Sequence, residues 1–81
     1  MEIVREFRYH DDSIWIRAIK AESRSGYVYL IQDFDYDKWD IKSWQTVSQS
    51  NDRDEALFDL GYRVGIKRLA QALEVQDEVA H

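Results

Sequence analysis

At 81 residues the chain makes one domain with a modest core. It contains no cysteine, which excludes disulfides, zinc–thiolate sites and cysteine nucleophiles. Its net charge of -5 argues against duplex DNA and anionic membranes as partners, since both require a basic footprint.

Three Trp, five Tyr and three Phe let a short chain bury substantial area with few side chains. That composition excludes disorder as the default state. The absence of disulfides and of a membrane-length apolar run, with a charged start (Glu2, Arg5, Glu6), predicts a soluble, cytoplasmic protein.

From the N-terminus, residues 2–10 alternate, with Ile3, Arg5, Phe7 and Tyr9 opposite Val4, Glu6 and Arg8. This predicts a half-buried strand. His10-Asp11-Asp12-Ser13 is a run of turn formers. Residues 14–22 predict a second strand, with Ile14, Ile16 and Ala18 opposite Trp15, Arg17 and Ile19. Ser23-Arg24-Ser25-Gly26 reads as a tight hairpin turn, with Gly26 supplying a positive φ. Residues 27–34 predict a third strand, with Tyr27, Tyr29 and Ile31 opposite Val28, Leu30 and Phe34.

Residues 39–48 allow two readings. Trp39 and Ile41 keep a period of two and Trp44 breaks it, which fits a fourth strand with a bulge. A short helical turn is the rival, and the β-branched Thr46 and Val47 favour the strand. Residues 52–76 then predict one long helix, followed by a tail over 77–81. Asp52 is an N-cap residue, Glu55 stands at the capping-box spacing, and Asp54 and Glu55 put negative charge at the N-terminal dipole. The fold class is therefore α+β: a three- or four-stranded antiparallel meander followed by a C-terminal helix on one sheet face.

The helix carries more apolar residues than one sheet contact needs. Phe58, Tyr62, Ile66, Leu69 and Leu73 recur at helical spacing and are assigned to the sheet. Leu57, Leu60 and Val64 form an adjoining stripe, with Gly61 and Gly65 one turn apart on its flank and Arg68 within it. Each glycine costs about 1 kcal/mol in a helix interior, so the pair marks a place of close packing. Leu57, Leu60, Gly61, Val64, Gly65 and Arg68 are the expected interface of a homodimer.

No residue pattern supports catalysis. There is no nucleophile elbow, phosphate loop or dinucleotide fingerprint, and neither His10 nor His81 stands at a catalytic spacing. The chain is read as non-enzymatic, with no cofactor. Asp33, Asp35, Asp37 and Asp40 form an acidic run, but Lys38 and Trp44 occupy the positions where a calcium loop needs glycine and glutamate. The run reads as a solvated strand edge, or as an acidic patch for a basic partner.

Arg5, Arg8 and Arg17 lie close in sequence to Trp15, Tyr27 and Tyr29. Aromatic and arginine side chains interleaved on a sheet are a way of binding single-stranded nucleic acid. Val4-Arg5-Glu6-Phe7-Arg8 and Ile16-Arg17, in a sheet followed by a helix, resemble the positive-cofactor single-stranded-DNA-binding modules. That resemblance implies a single-strand-binding sheet. The family's glycine-flanked basic hairpin and lysine-rich third strand do not occur here, and Glu2, Glu6, Asp11, Asp12 and Glu22 offset the bases. The expectation is thus a small acidic protein-binding homodimer, a regulator, adaptor or mobile-element-type inhibitor. Single-strand binding is the alternative.

Overall fold

The computed structural model describes residues 1–9, 14–36 and 42–80, with 35, 36, 42 and 74–80 described by backbone alone. Strands β1 (Glu2–Arg8), β2 (Trp15–Ser23), β3 (Gly26–Tyr36) and β4 (Lys42–Ser50) form one antiparallel sheet in the order β1-β2-β3-β4. Helix α1 (Arg53–Ala80) follows and packs on one face. The meander and helix are those the sequence predicts, with the fourth strand formed and the helix ending four residues later, so that it takes up residues 77–80 of the expected tail.

The turns explain the register. Gly26 adopts φ of 129°, and the Ser23 hydroxyl donates to the Gly26 carbonyl at 3.2 Å. Ser23 pairs with Gly26, so only Arg24 and Ser25 cross between β2 and β3. The Tyr9 amide donates to the Ile14 carbonyl at 2.9 Å, closing the β1–β2 connection. The His10–Ser13 turn itself lies outside the described residues.

Two bulges set which side chains reach the helix. In β1 the register shifts between Ile3 and Arg5. Val4 is the extra residue, and it packs on the core beside Phe7 and Tyr9. The simple alternation over 2–10 is corrected there, since Ile3 pairs with Ile19 on the opposite face. In β4 the second bulge falls at Val47, opposite the Ile31–Gln32 step, while Lys42, Ser43 and Trp44 pair in regular register with β3. Residues 39–41 lie outside the described residues.

The core is compact: Ile14, Ile16, Ala18 and Ile31 of the sheet against Ala56 and Leu60 of the helix, all at most 4 % exposed. Leu57 and Val64 pack at its margin. This reverses the expected roles of the two helix stripes. Phe58, Tyr62, Ile66, Leu69 and Leu73, assigned to the sheet from their spacing, are 49–80 % exposed. Leu60, assigned to a dimer interface, is buried within the chain. The physical reason is side-chain size. Ile16, Ala18 and Ile31 make a shallow surface, and Ala56 lets the helix backbone approach it closely. Phe58 and Tyr62 turned inward would hold the helix away from the sheet. The Lys67 ammonium reaches the Asp33 carboxylate of β3 at 2.7 Å, fixing the same rotation from a second point.

The helix start is as predicted. The Asp52 Oδ1 accepts from the Asp54 amide at 2.9 Å, and the Asp52 carbonyl accepts from the Ala56 amide at 3.0 Å. The Asp52 amide donates to the Ser50 hydroxyl at 3.0 Å. Ser50 thus takes the place that Glu55 would fill in a capping box.

Candidate functional site

Two surfaces stand out, on opposite sides of the molecule. The first is the outward stripe of α1. At 100° per residue, Phe58, Tyr62, Ile66, Leu69 and Leu73 fall within one narrow arc, nearly opposite Ala56, Leu60 and Val64. The helix is apolar on two sides, and the sheet covers one. Arg63 lies beside the stripe and donates to the Asp59 carboxylate at 3.2 Å, one turn away.

Gly61 and Gly65 lie on the other flank of this stripe. A Cβ built on either meets nothing within 4 Å. Among the described residues, no side chain of the sheet therefore fills the glycine notch. Gly61 also lines a groove of about 400 Å³ with Phe7, Leu57, Leu60 and Val64, between the helix and β1. Across the helix, Phe58, Asp59 and Tyr62 line a second groove of about 440 Å³ against Ser48 and Ser50 of β4. The helix therefore rides on the sheet as a ridge with open shoulders.

Of the six expected interface residues, Leu60 is core and Leu57 and Val64 support it. Gly61 and Gly65 remain at the surface. Arg68 is exposed, with its guanidinium 5.6 Å from the Tyr9 ring centroid.

The second surface is the sheet face away from the helix. Trp15 alternates with the buried Ile14 and Ile16, and Phe34 with the helix-bound Asp33, so both point outward. Trp44 pairs with Phe34 across β3 and β4. The three rings form a cluster, with centroids 4.5 Å apart for Trp15–Phe34 and 5.0 Å for each to Trp44. Such separations suit offset and edge-to-face contacts. Arg8 lies over Trp15 at 3.9 Å, and Arg17 over Trp44 at 3.8 Å. The Arg17 Nε also donates to Gln32 Oε1 at 2.9 Å, and the Trp15 indole N–H donates to Glu6. Ile19, flanked by its cross-strand partners Ile3 and Leu30, is buried on the same face although no second layer covers it among the described residues.

The predicted nucleic-acid set does not form one face. Arg8, Trp15 and Arg17 point away from the helix. Arg5 pairs with Ala18 on the helix side, where Tyr29 packs on the core. Tyr27 keeps the parity of Tyr29 and meets Lys20, whose ammonium is 4.1 Å from its ring. Phe34 and Trp44 were missing from the set. Phe34 was legible from its parity with Trp15, whereas Trp44 depended on the β4 bulge.

The acidic run is divided as well. Asp33 is paired with Lys67, Asp35 lies in β3 opposite Ser43, and Asp37 and Asp40 fall outside the described residues. Among the described residues, no three His, Cys, Asp or Glu side chains gather as a metal site. Nor is any described helix long and apolar enough to cross a membrane. No protein-family model matches the chain, and no curated protein or solved structure matches it.

Proposed function

We propose that the chain is a small, non-enzymatic protein-binding module that works as a homodimer, with the outward helix stripe as its self-contact. The observation that carries this is the exposure of Phe58 and Tyr62, at 80 % and 64 %. With Ile66, Leu69 and Leu73, at 49 %, 60 % and 51 %, they make one continuous apolar stripe, and large exposed apolar patches mark interaction sites. Burying that stripe leaves the opposite sheet face of each copy free for a second protein. Tryptophan and arginine are the side chains that most often anchor protein interfaces, and Trp15, Trp44, Arg8 and Arg17 stand together there.

A second reading, single-stranded nucleic acid, is favoured by the same Trp15–Phe34–Trp44 cluster. It ranks lower because the guanidiniums already lie over the two indoles and the chain is acidic.

Light scattering on the wild-type chain and on Tyr62→Glu tests the proposal. The wild type should have twice the mass of one chain. Tyr62→Glu should have the mass of one chain, with an unchanged circular dichroism spectrum. A wild-type chain that stays monomeric would overturn the homodimer.

A further inference from the structure

The sheet has two outer strands, and their free edges differ. Among the described residues, β1 and β4 each pair with one neighbour only. Both carry a bulge, but charge separates them. β1 holds Glu2, Arg5, Glu6 and Arg8 within seven residues. Charges that dense oppose pairing with another strand. β4 has Lys42 at its start, no other charge in nine residues, and no proline. We propose that the β4 edge takes up an extended segment of a partner protein by strand addition, beside the groove between β4 and α1. The inference rests on the protein-binding reading above, not on the homodimer, and names a second docking place and the chemistry of its occupant.

The groove gives this edge its selectivity. Ser48 and Ser50 pair with Ile31 and Tyr29, which pack toward the helix, so the two serines face it as well. Their small side chains leave the space of about 440 Å³ that Phe58 and Tyr62 border, with the buried Ile31 and Ala56 beneath. In a strand laid along Ser48–Ser50, every second side chain points to this same side. An aromatic or aliphatic residue there enters the groove and packs on Phe58 and Tyr62. A second copy on the stripe meets these rings from outside the ridge, whereas the added segment meets them from the β4 side. The Ser50 hydroxyl is already held by the Asp52 amide, so the corner between strand and helix is formed before a partner arrives. The bulge at Val47 keeps the ladder beside the groove short, and side chains must therefore select the partner.

Charge names the second feature of the segment. Glu55 and Asp59 line the groove, and no lysine or arginine does. Asp59 is paired with Arg63, whereas Glu55 makes no ion pair among the described residues. The segment that fits has an apolar residue and a lysine or arginine two positions apart, so that both face the helix, and no proline where it must donate to β4. A second copy's β4 does not meet this description. It would present Gln45, Ser48 and Ser50 on that side, which neither fill the groove nor answer its charge.

Selection on the full chain from a phage-displayed library of short random peptides tests the proposal. Enriched peptides should share an apolar residue and a lysine or arginine two positions apart. A synthetic copy of one should shift the amide NMR signals of Ser48–Ser50 and of Phe58 and Tyr62. Glu55→Lys should weaken its binding about tenfold with an unchanged circular dichroism spectrum, and Glu55→Gln should weaken it less. Glu2→Lys makes the same charge change on the β1 edge and should leave binding as it was. Equal weakening by Glu2→Lys and Glu55→Lys would overturn the site, since net charge alone would then explain the effect. No enrichment, or peptides that shift Trp15, Arg17 and Trp44 instead, would overturn the edge and leave the outward sheet face as the docking place. Shifts at Ser48–Ser50 that grow with protein concentration without peptide would make a second copy the occupant and overturn the segment. A monomeric wild type that binds the peptides as expected would remove the homodimer and uphold this site.

Discussion

Asp52 shows what a single side chain does at the helix start. Its carboxylate satisfies the Asp54 amide, one of the four amides a helix start leaves without a helical partner. Asp52→Ala should therefore cost about 1 kcal/mol, or roughly 4–8 °C in melting temperature for a domain of this size. Thermal unfolding followed by circular dichroism measures it, and an unchanged midpoint would transfer the capping role to Ser50. The glycines predict the opposite sign. Gly61 and Gly65 are helical, and an added Cβ meets nothing. Within one chain, either glycine-to-alanine change should stabilise the helix by about 0.4–1 kcal/mol. Gly65→Ala should also weaken the proposed dimer, because the new methyl holds off a second helix approaching the glycine flank of the stripe. A higher melting temperature at low concentration, with a lower dimer fraction by sedimentation, would be the signature of a glycine kept for contact between copies.

On the scale of whole elements, the helix shows what period reveals and what it leaves open. Its existence, its N-cap and its two apolar stripes were all legible from residues 52–73. Which stripe meets the sheet was not, because both repeat at three and four. The largest side chains were the wrong guide. The shallow Ile16–Ala18–Ile31 surface selects Ala56 and Leu60, and that match depends on the sheet having already formed. The strands followed the same pattern: alternation gave the faces of β2 and β3, while the bulges at Val4 and Val47 could be located only by pairing. The exchange of stripes has a direct test. Leu60→Ala should cost about 2–5 kcal/mol, since it opens a cavity at a site 4 % exposed. Tyr62→Glu should change the stability of a single chain by no more than about 0.5 kcal/mol. Denaturant titrations compare the two at a concentration low enough to keep the chain monomeric. Equal losses would mean that Tyr62 is part of the core.

Taken whole, the molecule presents an apolar ridge on one side and an aromatic, arginine-bearing sheet on the other. Their charges bear on what the sheet side can bind. Nucleic-acid affinity at physiological salt comes mainly from cations that displace counterions from phosphates. Among the described side chains, the outward sheet face offers Arg8 and Arg17, with Glu6 bound to the Trp15 indole. Base stacking also needs open aromatic faces, and a guanidinium lies over both Trp15 and Trp44. For a stacked base to enter, those cation–π contacts must break, at roughly 0.5–2 kcal/mol each. We therefore expect no measurable binding to duplex DNA at physiological salt, and at most weak, salt-sensitive binding to single strands. Quenching of the tryptophan fluorescence by an oligothymidine, compared between the wild type and the Trp15 and Trp44 variants, reads this. A sub-micromolar affinity at physiological salt, abolished by Trp15→Ala or Trp44→Ala with the fold retained, would replace the protein partner with single-stranded nucleic acid. If quenching instead vanishes as salt is raised to physiological strength, the aromatic cluster is left as an anchor for a second protein.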